Sequence, residues 1–129
     1  MGGQQFGTDA MLIDVRKLDR VLNLDRKTGI IEVEAGIEWP KLIDGYLTLR
    51  NGDGQTWGIA QKQTGADRLT MAGTIAANAH GRGLKMKPFV SDVESFVLVD
   101  ATGTAHMCSR TPRLSRHWRQ IVINSVSQC

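Results

Sequence analysis

This sequence predicts an α+β fold with a small, mainly antiparallel sheet flanked by helices, and three observations carry that expectation. Residues 30–35 (IIEVEA) alternate apolar and acidic side chains at period two, the pattern of a half-buried strand. Residues 94–100 (ESFVLVD) and 104–109 (TAHMCS) form a second pair of β-rich runs, joined by the turn residues Ala101, Thr102 and Gly103. Between these two regions, Leu42, Ile43, Tyr46, Leu47 and Leu49 supply the apolar positions of a helix that follows Pro40. Proline suits a first helical turn, where its missing N–H costs nothing.

In chain order, residues 11–15 (MLIDV) and 20–24 (RVLNL) are short strand candidates separated by a charged turn at 16–19. Residues 25–29 (DRKTG) then make a hairpin turn into 30–35, so the first part of the chain is expected as an antiparallel meander. Gly36 ends the strand, and a helix begins at Glu38, Trp39 and Pro40 and runs to about Asn51 and Gly52. A glycine-rich loop, 51–55 (NGDGQ), and a turn, 64–69 (TGADRL), precede a short helix-capable segment at 70–77 that Thr70 or Asp67 can cap. A basic loop (LKMKP) leads into the second strand pair.

With 129 residues the chain is about one domain in size, and its 41% hydrophobic and 22% charged residues are ordinary for a globular protein. No apolar run approaches the ~20 residues of a membrane span, and no basic-then-apolar leader opens the sequence. A soluble, cytoplasmic chain without a membrane partner is the expectation. The net charge of +3 sits at the C-terminal end: residues 111–129 hold Arg113, Arg116 and Arg119 and none of the 13 acidic residues. Three terminal arginines do not make the basic face that nucleic acid requires, so no nucleic-acid partner is expected. Cys108 and Cys129 lack metal-ligand spacing and give no disulfide framework, so they read as reduced thiols and no metal site is expected.

The run 73–83 (GTIAANAHGRG) concentrates glycines, small residues, an Asn and a His. Glycine lets a backbone approach a ligand closely, and Ala76, Ala77 and Ala79 keep that approach open to a flat or phosphorylated cofactor. Neither GxxxxGK[ST] nor GxGxxG occurs, which excludes a P-loop and a Rossmann fingerprint. Backbone N–H groups at a loop or a helix start can still bind a pyrophosphate. His106 and Ser109 are expected on the same face of one strand, without a nucleophile elbow or an acidic partner in the sequence pattern, so a hydrolase is not indicated.

The order MGGQQFGTDAMLIDVRKLDRVLNLD, IIEVEAGIEWPKL, TGADRLTMAGTIAANAHGRG and SDVESFVLVDATG resembles the FAD-binding domain of the FAD-linked oxidases, the family of vanillyl alcohol oxidase, p-cresol methylhydroxylase and the sugar-lactone and alditol oxidases. The resemblance runs from Met1 to about Arg110 and implies part of a p-cresol-methylhydroxylase-type domain. It implies FAD as cofactor and, in the parent enzyme, oxidation of an alcohol, sugar or lactone. Gly2, Gly3 and Gln4 match the end of the family's first pyrophosphate-binding loop. Asp67 and Thr70 match the turn into the second cofactor segment. Gly73, Thr74, Ala76, Ala77, Asn78, His80 and Gly81 match the segment along the pyrophosphate, ribityl chain and flavin. The cofactor carries the hard chemistry and the protein binds and orients it.

Each of these residues also has a plainer reading. Gly2 and Gly3 can be a simple chain start, Asp67 a helix cap, Asn78 a turn residue bonded to backbone and His80 a loop histidine. Lys85 and Lys87 can hold an anion or line a solvated loop, while Trp39 and Trp57 read as packing residues. No residue of the chain is assigned as the catalytic base. The resemblance begins inside the first FAD loop and ends at Thr111, which divides the chain into a partial FAD-binding domain, 1–110, and a divergent basic tail, 111–129. Leu114, Trp118, Ile121 and Val122 place the tail's apolar positions on one helical face, so it is expected to be helical or disordered. Its loss of acids, alternation and resemblance together suggests a truncated or shifted reading frame. The rival function is therefore a non-catalytic remnant or interaction module without flavin.

Overall fold

The structure, a computed structural model, describes residues 7–9, 12–50, 57–59, 62, 65, 67–81, 83, 85, 87–109 and the backbone of 121–127. Strands β1 (Val21–Asp25) and β2 (Ile30–Glu34) pair antiparallel through the expected hairpin turn. Asp25 organises that turn: Oδ1 accepts from the Lys27 amide at 2.8 Å and Oδ2 from the Thr28 hydroxyl at 2.6 Å. Gly29 closes it at φ 73°, a left-handed conformation that a residue with a Cβ adopts only at a cost.

Helix α1 (Trp39–Leu49) follows, with Pro40 in its first turn as the sequence predicts. Helix α2 (Met71–Ala76) is capped by Thr70, whose side chain accepts from the Gly73 amide. A 3₁₀ turn, Phe89–Asp92, leads into β3 (Val93–Val99), which pairs antiparallel with β4 (Ala105–Ser109). The last strand, β5 (Ile121–Ser127), lies parallel to both β2 and β3, with Ile121 opposite Ile31 on one side and Val93 on the other. The five strands form one sheet in the order β1-β2-β5-β3-β4.

The architecture is α+β, and three expectations are corrected within it. The sheet is mixed, because antiparallel hairpins form only its two sides while both central pairings are parallel. The helical or disordered reading of the tail fails for 121–127. That stretch (IVINSVS) is rich in β-branched residues, which favour a pleated strand, and its place between β2 and β3 supplies a ladder partner to each. Residues 12–15 are not a strand either. Asp14 Oδ1 accepts from the Arg16 amide at 3.0 Å, and the Leu18 amide donates to the Val15 carbonyl at 2.9 Å, local bonds that compete with strand pairing.

The core collects alternate residues of β2 and its continuation, Ile31, Val33, Ala35 and Ile37, against Trp39 and Leu42 of α1, Met71 and Ala72 of α2, and Phe89 and Val93. Trp39 and Phe89 meet edge to face at a centroid distance of 5.7 Å and an interplanar angle of 79°. Such a pair adds about 0.5–1.5 kcal/mol beyond the area it buries. Glu34, which lies between the core positions Val33 and Ala35, is a buried charge. Its carboxylate takes the Arg20 amide at 2.9 Å and the Arg20 guanidinium at 2.8 Å, and the guanidinium holds its pKa below the usual glutamate value. Leu47 and Leu49, read as apolar helix positions, remain largely exposed.

Candidate functional site

The residues joining β2 to α1 act as a joint for the two segments singled out in the sequence. Gly36 donates its amide to the Leu18 carbonyl at 2.7 Å, which seats residues 12–20 on this joint. From the other side, the Met71 amide reaches the Ile37 carbonyl at 2.9 Å and the Ala72 amide reaches Ala35 at 3.0 Å. Glu38 and Thr70 add an isolated bridge. The contact at Gly36 is close enough that a Cβ there would stand 1.8 Å from the Val15 carbonyl oxygen, so glycine is required for this packing.

The glycine-rich run divides into an anchoring half and a presenting half. In the first, Thr70 Oγ1 accepts from the Gly73 amide at 3.0 Å, and the Thr74 amide and hydroxyl both bond the Thr70 carbonyl, at 2.8 and 2.9 Å. Met71 and Thr74 are fully buried. The amides of Met71, Ala72, Gly73 and Thr74 are therefore all taken by protein acceptors. This corrects the expectation that the start of this helix offers N–H groups to a pyrophosphate, because β2's continuation and the cap consume them. Gly73 has a packing reason of its own, since an added Cβ would sit 3.0 Å from Thr70 Oγ1.

In the second half, Ala76, Ala77 and Asn78 are exposed, as is His80, while Gly81 is half-buried. Asn78 takes φ 45°, a left-handed turn for which Asn is suited. Its amide bonds the Ile75 carbonyl at 2.9 Å, and the Ala79 amide bonds Thr74 at 2.9 Å, so the strip is firmly tied back to α2. The Phe89 amide donates to the Ala79 carbonyl at 2.9 Å, which fixes its far end to the core. His80 Nδ1 lies 3.2 Å from the Gly81 carbonyl oxygen.

Other expected residues take different places. Gly2, Gly3 and Gln4 lie outside the described residues. Asp67 does not cap α2, a role Thr70 fills, and is ion-paired instead with Lys62. Trp39 and Trp57 pack: Trp39 is buried, and Trp57 lies over Gly29 with its Nε1 donating to the Arg26 carbonyl at 2.9 Å. Lys85 and Lys87 are exposed.

His106 has an acidic partner after all, because the β3–β4 hairpin brings Asp100 Oδ2 to 2.8 Å from its Nε2. Asp100 also accepts from the Thr102 hydroxyl at 2.6 Å and the Thr104 amide at 3.0 Å, and these bonds pull its pKa down to about 2, the Thr102 hydroxyl contributing most. Ser109 is three residues from His106 on β4 and so faces the other side of the sheet, away from the pair. A shallow cleft of about 200 Å³, lined by Val90, Val93, Glu94, Phe96, Cys108 and Ser109, shares no residue with the run 70–81. Among the described residues no cluster of His, Cys, Asp and Glu can hold a metal ion, and no helix is long and apolar enough to cross a membrane.

Residues 1–109 match the family described as FAD binding domain. The chain is 30% identical to L-gulonolactone oxidase of Mus musculus over 105 residues, 81% of this chain and 22% of that protein. It is 31% identical to L-gulono-1,4-lactone dehydrogenase of Mycobacterium tuberculosis over 100 residues, 74% of this chain and 21% of that protein. L-gulonolactone oxidase of Scyliorhinus torazame is 27% identical over 131 residues, 95% of this chain and 28% of that protein, so this similarity extends past residue 111. The chain spans about a fifth of the length of the first two relatives. No solved structure matches.

Proposed function

The chain belongs to the FAD binding domain family, and from that premise we propose that its exposed strip, Ala76, Ala77, Asn78, His80 and Gly81, lies against FAD in an enzyme that oxidises a sugar lactone. The observation that carries the proposal is the division of one run into a buried anchor and an exposed strip of small residues. Fit to the cofactor is judged on that strip: alanine side chains end at Cβ, so a ligand can reach the backbone at Ala76 and Ala77, and both residues are exposed. With Nδ1 donating to the Gly81 carbonyl, neutral His80 keeps Nε2 as an acceptor for a cofactor N–H or O–H.

Under this reading Gly2, Gly3 and Gln4 supply the first pyrophosphate loop. Thr70, Gly73 and Thr74 hold the second segment in place without touching the ligand. The bound flavin supplies the two-electron acceptor for a C–H bond. The p-cresol-methylhydroxylase-type arrangement is part of the proposal, supported by the order of the motifs along residues 1–109. The lactone as substrate class rests on the relatives' activities.

The test is to purify the 129-residue chain, add FAD and follow flavin absorbance through gel filtration, with flavin fluorescence as a second signal. Retained flavin with altered fluorescence, lost in Ala77→Trp while the melting temperature holds, is the expected result. A chain that folds and retains no flavin would leave the rival reading, a flavin-free interaction module.

A further inference from the structure

Lys62, Asp67 and Trp39 form one stack, linked to this strip through Phe89 and Ala79. The Lys62 ammonium lies over the Trp39 ring, 5.9 Å from its centroid, and the same ammonium is ion-paired with Asp67. The Lys62 side chain is 30% exposed and that of Asp67 57%, so the cation is the inner member and the carboxylate the outer one. Trp39 is 1% exposed and rests edge to face with Phe89, whose amide is bonded to Ala79.

We infer that Lys62 is a positioning residue for the cofactor segment, and that Asp67 acts on this segment through Lys62 rather than by touching the flavin. The inference rests on the FAD reading above. An ammonium over an indole face is attracted by the ring quadrupole, and a carboxylate on its outer side fixes where it sits. The stack ties Lys62 and Asp67 onto the first residue of α1. Gly65, between them in the chain, is left-handed at φ 78°. Arg68 adds a second tie, its Nη1 lying 3.2 Å from Glu38 Oε2. Thr70, two residues on, then meets Glu38 and caps α2 at a fixed place. Through Phe89 and Ala79 the position of Trp39 is passed to the far end of the exposed strip.

A double-mutant cycle on the full 129-residue chain separates the two roles of Asp67. Lys62→Met and Asp67→Asn are each expected to weaken FAD binding by about twofold to fivefold, the span of an exposed ion pair or cation–π contact. The double variant is expected to bind no more weakly than Lys62→Met alone, because both changes break one coupled unit. Lys62→Arg, which keeps a cation that stacks on aromatic rings, should restore wild-type affinity. The tryptophan emission of Lys62→Met should shift, and the shift should vanish in a Trp39→Phe background. Additive losses in the cycle, or a loss in Asp67→Asn with none in Lys62→Met, would overturn the inference and make Asp67 a direct contact. If the wild-type chain holds no FAD, the FAD reading falls first. The stack is then judged by emission alone: a shared, Trp39-dependent shift in Lys62→Met and Asp67→Asn supports it, and unchanged emission overturns it.

Discussion

Gly36 and Val15 touch backbone to backbone: no side chain fits between them, since a Cβ on Gly36 would lie 1.8 Å from the Val15 carbonyl oxygen. This contact lets residues 12–20 dock on the same joint that receives α2. Gly36→Ala therefore cannot be absorbed by a side-chain rotation, and the expected loss of stability is about 3 kcal/mol, the upper end of the usual range for overpacking. Urea unfolding checks it. A wild-type midpoint in Gly36→Ala would mean that residues 12–20 are not seated on this joint.

Thr70 and Gly73 belong to the anchor, so their variants should cost stability before they cost affinity. Thr70→Ala removes the cap and is expected to destabilise by about 1 kcal/mol. Gly73→Val should do the same by crowding Thr70 Oγ1. Ala77→Trp, on the exposed strip, should instead lower flavin retention with an unchanged melting temperature. Comparing thermal melts with flavin retention across the three variants reads the division of the run directly.

Gly29→Ala tests the hairpin. Its φ of 73° and the Trp57 ring carbon 2.7 Å from the added Cβ combine backbone strain with a steric clash. A loss of about 1–3 kcal/mol is expected, with a shift in tryptophan emission as Trp57 moves off the turn.

The pH dependence of stability should carry the signature of Glu34. Its folded pKa is lowered by the Arg20 guanidinium, so its contribution is fully present above the unfolded value, about 4.3, and is lost as pH falls through the depressed folded value. Glu34→Gln should flatten the acid limb of a stability–pH curve below about pH 4.3 while leaving the neutral slope alone.

Asp100 should titrate at about 2 by NMR. Because the Thr102 hydroxyl is the largest cause of that depression and His106 the next, Thr102→Val should raise the pKa more than His106→Ala does. The reverse order would make the imidazole the dominant partner.

The sequence carried what depends on neighbours in the chain. The period-two pattern of residues 30–35, the DRKTG turn, Pro40 in a first turn and Thr70 as a cap are local signals, and each element appears where its signal lies. The small-residue run was visible too, because composition is read directly from the chain. Local reading failed where a partner far along the chain decided the outcome. Residues 121–127 belong to a tail expected to be helical or disordered, and they form a strand because β2 and β3 offer a place between them that a β-branched segment fills. The Asp100–His106 pair needed the β3–β4 register, and the role of Gly36 needed the approach of Val15.

What the sequence by itself determined is the hairpin of residues 25–35, the helix after Pro40 and the family to which residues 1–109 belong, since turn chemistry, local periodicity and motif order are properties of the chain. Only the tertiary structure decided which half of the run 70–81 faces inward. The amides of Met71 and Ala72 could have met a ligand or a carbonyl, and the docking of β2's continuation gave them the carbonyls of Ile37 and Ala35. A buried N–H must find an acceptor, so packing assigned these residues to the anchor and left Ala76, Ala77, Asn78 and His80 to face outward.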